Sequence, residues 1–176
     1  MPSPLTCFLM LSLTVIAQPS ALPDPDPHAE DRKALLKIFS EVEASINAQS
    51  LDRMVKQMDP AATVVWANGE VSRGPAEILA YYDRMVKGSD RILTKYTTVA
   101  KLHGHARFPG NGDVATADGA MEDEFTPIIR GPFRLSGKWT TTAAKINGEW
   151  KVISLHLSAN VLLAEALPGW FLGHLK

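Results

Sequence analysis

The hydrophobic period of this chain changes once, near Arg91, and that change limits what it can fold into. Before it, apolar residues recur at helical spacing; after it, they recur at every second residue. Leu35, Ile38, Phe39, Val42 and Ile46 define a long first helix running to Ala48, with Asp26 as cap acceptor and Pro27 at the first helical position. Leu51, Met54, Val55 and Met58 define a short second helix that Ser50 caps and Asp59-Pro60 ends. Ala62 to Ala67 is β-branched and aromatic and runs into Asn68-Gly69, which reads as the first strand of a hairpin. Gly74-Pro75 opens a third helix bearing Ile78, Leu79, Tyr82, Met85 and Val86, stopped at Lys87-Gly88.

Beyond that point Arg91 to Arg107, Asp113 to Thr126, Phe133 to Lys145 and Glu149 to Ser158 alternate as four long strands. Breaks fall at Pro109 to Gly112, at Pro127 to Pro132 and at Asn147-Gly148. Helices first and strands afterwards predict an α+β domain: a curved antiparallel sheet forming a cone, covered by three helices from the N-terminal half.

The two ends read differently. Leu5 to Ala17 is apolar but shorter than the roughly 20 residues a membrane-spanning helix needs, and proline-rich chain follows it. Residues 1–17 are therefore expected to be a signal peptide cleaved before Gln18, and the protein to be exported, either periplasmic or secreted. Cys7, the single cysteine, would leave with that segment, which excludes a disulfide framework and thiolate chemistry. Residues 18–28 form a proline-rich tether, 29–160 the domain, and 161–176 an apolar tail interrupted at Pro168-Gly169. The tail is expected to pack on the domain or a partner subunit, with membrane-surface contact through Trp170 and Phe171 as the alternative. Lys plus Arg (18) nearly balances Asp plus Glu (19), so no nucleic acid partner is expected.

Four stretches carry a family likeness: Asn47 to Asp52, Met58 to Ala62, Gly69 to Gly74, and Gly148 to Ile153 continuing into His156 and Ser158. Over residues 30–160 the chain resembles SnoaL-like proteins of the nuclear transport factor 2-like superfamily. The resemblance implies a conical α+β barrel, a homodimer and an interior cavity that serves enzymes, binders and assembly modules alike, so it does not fix the function. Ketosteroid isomerases of this fold use an Asp base near the end of the first strand and a Tyr from the first helix. Here the strand ends Trp66-Ala67-Asn68, and no tyrosine lies between Pro27 and Ala48. An amide cannot take the proton, so that chemistry is not implied.

Trp66, Tyr82, Met85 and Trp139 come from the elements that surround such a cavity and are the expected ligand-binding wall; plain core packing is the competing role. His156 is the catalytic candidate, an acid or base with a serine partner if its face of the last strand lines the cavity. It is an outer or interface residue if the aliphatic face does. Asp118, Glu122 and Glu124 share a strand face, opposite Asp123, and read either as an acid/base cluster or as a solvated face paired with Arg130, Arg134 or Lys138. His103 and His105 alternate onto one side, but zinc needs a third ligand that nothing specifies, so neither metal nor cofactor is expected. The leading expectation is an exported, homodimeric protein that binds a small, largely apolar molecule. A proton-transfer, isomerase or cyclase enzyme using His156 or a carboxylate stands second, and an assembly module third.

Overall fold

The computed structural model of the protein describes residues 26–159. The expected signal peptide, most of the tether, Asn160 and the apolar tail lie outside the described residues. Helix α1 (Ala29–Asn47) is followed by α2 (Asp52–Val55), strands β1 (Met58–Val65) and β2 (Val71–Arg73), helix α3 (Gly74–Val86), and then β3 (Leu93–Leu102), β4 (Val114–Pro127), β5 (Phe133–Ile146) and β6 (Glu149–Ala159). The strands form one curved, unclosed sheet in the order β2-β1-β6-β5-β4-β3. The long alternating segments pair as an antiparallel meander, while α1 and α3 cover the inner face and bury Ile38, Ile46, Ile78 and Tyr82 against it.

Several expectations are corrected. The sheet is mixed, because β1 lies parallel to β6, with Val64 opposite Leu155 and Val65 opposite His156. Strand β1 begins at Met58, not Ala62, and the second helix is correspondingly only one turn. Buried Met58 pairs with Val152, and the Val152 N–H donates to the Gln57 carbonyl at 2.9 Å, so the chain is already extended there. Pro60 sits in the irregularity between Met58 and Thr63, where no ladder bond needs its missing N–H. Strand β3 stops at Leu102, because Gly104 takes a φ of +69° and bends the chain away; Arg107 returns to the sheet through a bridge to Thr116. Helix α1 starts after Asp26-Pro27 rather than on it, and the Asp26 carboxylate accepts from the His28 N–H at 3.0 Å and the Arg32 guanidinium at 2.7 Å.

Polar bonds hold α1 at both ends. At its C-terminal end, Asn47 accepts from the Thr98 N–H and donates to the Thr98 carbonyl, both at 2.9 Å. Gln49, beyond the helix at a φ of +57°, accepts from the Tyr96 N–H at 3.0 Å and donates to the Tyr96 carbonyl. The two amides stand where another strand would pair with the edge strand β3. At the N-terminal end, the Asp31 carboxylate accepts from Trp150 Nε1 at 2.9 Å and Lys145 Nζ at 2.7 Å, Arg32 donates to the Ala106 carbonyl, and His28 stacks on Phe108 with centroids 4.1 Å apart.

Replacing Asn47 by alanine should destabilise the fold by about 1–2 kcal/mol, since two backbone groups of Thr98 lose their partners. Urea unfolding measures this, and an unchanged midpoint contradicts the edge pairing. Lys145, and then Trp150, hold the Asp31 carboxyl down at about 2, against an ordinary 3.8. A depressed carboxyl contributes stability that is complete above the unfolded value and lost as pH falls through the folded one. The Asp31→Asn variant should therefore be less stable than the parent at pH 7, with the difference disappearing between about pH 4 and pH 2 in acid titrations followed by circular dichroism.

Candidate functional site: an apolar cavity between helix α1 and the sheet

With its ends fixed and its middle apolar, α1 spans the inner face of the sheet and leaves a cavity of about 140 Å³ beneath it. Leu35, Ile38, Phe39 and Val42 form its helical side, and Tyr96, Ala117, Met121, Trp139, Leu155 and Leu157 are among the residues of its sheet side. Trp139 lies 5.4 Å from the Phe39 ring and donates from Nε1 to the Ala120 carbonyl at 3.2 Å. It rests on Gly119, where a Cβ would come within 2.0 Å of the Lys101 carbonyl oxygen and 2.5 Å of the indole, so no side chain fits there. Trp66 lines another part of the cavity, its ring stacked on Tyr81 at 4.2 Å and its Nε1 donating to Ser72 Oγ at 2.8 Å. Two of the four expected wall residues therefore reach the cavity. Tyr82 and Met85 pack in the core on α3 instead, Tyr82 buried with its hydroxyl unpartnered and burial, then Asp83, raising it to about 12.

The placement of His156 follows from one extra residue in β6. Trp150 and Val152 are buried against the helices, but Ile153 has no partner between the Ala143–Val152 and Thr142–Ser154 pairs. This bulge reverses the alternation, so Leu155 and Leu157 continue the inner surface and His156 is exposed on the outer one. His156 thus lies away from the cavity, opposite Thr140 and Val65 on the neighbouring strands.

Asp118, Glu122 and Glu124 also face outward. Asp118 pairs with Arg107 at 2.9 Å and His103 at 3.3 Å, and Glu124 with Arg134 at 3.0 Å, while Glu122 is exposed. The bend at Gly104 separates the two histidines expected to point together: His103 turns to Asp118 and His105 to the cavity rim, beside Arg32. Among the described residues no group of three potential metal ligands converges.

Asp123 is the carboxylate that the outward cluster concealed. It shares the inner phase of β4 with Ala115, Met121 and Phe125, an acid in an apolar row, and that phase was the available signal. The side chain is 2% exposed and lies between Thr98 and Leu135 on the neighbouring strands. Burial raises it to about 6, the neighbouring Thr98 and then Tyr96 hydroxyls act in the opposite direction, and Oδ1 has no partner. Burial, and then Asp123, hold the Tyr96 phenol well above its usual range. Tyr96 and Thr98 both line the cavity, so the acid stands directly behind its wall.

No protein-family model and no curated protein matches this chain. Solved structures match it well in shape. A hexachlorocyclohexane dehydrochlorinase from Novosphingobium barchaimii aligns with a TM-score of 0.66 at 14% identity, over 74% of this chain and 87% of that one. An uncharacterised protein of cystatin-like fold from Caulobacter vibrioides aligns at 0.64 and 18% identity, over 81% and 99% of the two chains. A nuclear transport factor 2-like superfamily protein from Salmonella enterica aligns at 0.59 and 19% identity, over 74% and 92%. The chain has the cone-shaped α+β fold of the nuclear transport factor 2-like superfamily, a fold on which enzymes also occur.

A carboxyl raised from 3.8 to about 6 subtracts stability as pH rises through that interval. The Asp123→Asn variant should lack this loss, so its melting temperature relative to the parent should increase from pH 4 to pH 7. Calorimetric scans across that range decide it; parallel pH profiles for the two proteins contradict the placement of Asp123.

Proposed function

We propose that this protein binds one small, largely apolar ring in the cavity beneath α1. The observation that carries this reading is the lining: aliphatic and aromatic side chains from α1 and the sheet, with Arg32, Glu43 and His105 as the charged or imidazole side chains among the described residues that reach it. Arg32 is already engaged with Asp26 and the Ala106 carbonyl. A dry apolar cavity of roughly 150 Å³ is enough to take up benzene, so about 140 Å³ suits a single substituted ring. Export, homodimerisation through the outer face of the sheet and the absence of a cofactor complete the proposal. His105, the histidine at the rim, supports a second reading in which the bound molecule is also transformed; His156 does not, because it lies on the opposite face.

Toluene titrated into the protein should bind with measurable heat and raise the melting temperature, as any ligand that binds only the folded state does. Filling the cavity by Ala117→Phe should abolish both effects without loss of fold, and His156→Ala should change neither. Toluene binding that survives Ala117→Phe would place the ligand elsewhere and overturn the reading.

A further inference from the structure

Strand β6 ends at Ala159, opposite Gly137, while β5 runs back from Gly137 to Phe133 with β4 on its other side. Ala159 follows Leu155 and Leu157 in phase, so the chain leaves the sheet on the inner surface, two residues past a side chain that lines the cavity. Gly137 is where the apolar wall comes closest to that exit. A Cβ there would lie 2.7 Å from Met121 Cε and 2.4 Å from the Ser158 carbonyl oxygen, so the Met121 side chain rests against β5 directly beside the end of β6. On the same inner phase Leu135 lies opposite Asp123, the next inward residue of β4 after Met121. Met121, Leu135 and Trp139 are each 5% exposed or less, yet they do not belong to the main core cluster of the described residues. They form a second apolar group at the end of the sheet where β6 stops.

The sequence continues from that point with Asn160 and then Val-Leu-Leu-Ala-Glu-Ala-Leu over residues 161–167, apolar at every position but Glu165, before Pro168-Gly169 interrupts it. We propose that residues 161–167 fold back onto their own sheet and cover Met121, Leu135 and Leu157, closing this end of the cavity. Two considerations select this occupant. The segment is apolar and so is the surface, and burying one against the other removes both from water. Asn160 is the single residue between them, and so short a tether holds the segment at millimolar effective concentration over its own sheet, above what a second copy reaches free in solution. The proposal goes beyond the ligand reading and does not depend on it, since the cover forms whether or not the cavity is filled.

The test uses the full chain with the photoreactive residue p-benzoylphenylalanine in place of Leu163, its folding checked by circular dichroism. Irradiation of a mixture of isotope-labelled and unlabelled protein, followed by peptide mass spectrometry, should give links from residue 163 to the peptides holding Met121, Leu135 or Leu157, within one isotopic form. Links only between the two forms, or only to outward residues such as Thr140 and His156, would overturn the proposal. A second measurement follows the oxidation of Met121 by hydrogen peroxide, which tracks access to the sulfur. Replacing Leu162 and Leu163 together by glutamate in the full chain should speed oxidation of Met121 about tenfold, while Met54, 0% exposed beneath the helices, should keep its rate. An unchanged Met121 rate would also overturn it, and either contrary result leaves toluene binding in the cavity untouched.

Discussion

Helix α1 is fastened to the sheet by polar bonds at its two ends and by apolar contact between them, and the interior of the molecule follows from that. At one end the amides of Asn47 and Gln49 satisfy the edge of β3; at the other Asp31 gathers Trp150 and Lys145. These bonds are directional and fix where the helix lies. Its apolar stripe then faces a curved sheet, and side chains that meet the sheet closely near the ends cannot do so everywhere along a bent surface. The space left between Phe39 and Val42 on the helix and Met121, Trp139 and Leu157 on the sheet is the cavity. Its size is thus a property of the fastening more than of any single lining residue.

The same geometry separates two kinds of polar group. Carboxylates in the outward phase of β4 find guanidinium or imidazole partners on the solvated face, where such pairs contribute little to stability. Asp123, in the inward phase, is buried and leaves Oδ1 without a partner. A buried acid so placed weakens the fold near neutral pH, as unpaired buried charge does, and a residue of that kind is commonly kept for what it does to its surroundings.

Much of the fold was legible in the sequence because it rests on local signals. The change of hydrophobic period marked the meander, Gly74-Pro75 and Lys87-Gly88 bounded α3, and Asn68-Gly69 and Asn147-Gly148 placed their turns, with positive φ at Gly69, Asn147 and Gly148. The parallel pairing of β1 with β6 was not legible, since it joins distant segments by backbone bonds that leave no local pattern. The bulge at Ile153 was equally hidden, and it alone decided that His156 faces outward. Among the expected wall residues, Trp66 and Trp139 line the cavity, whereas Tyr82 and Met85 lie on a helix whose apolar face meets the core beside it. Asp123 could have been found by the same alternation that grouped its neighbours, had the inward phase been followed instead of the acidic run.

The most direct test of the fastened helix over a dry apolar cavity is a crystal structure of the protein pressurised with xenon, which enters empty apolar space and avoids hydrated pockets. A single strong xenon site in contact with Phe39, Trp139 and Leu157 is the predicted result. Ordered water in that position, or α1 collapsed onto the sheet with no room for the atom, would contradict it.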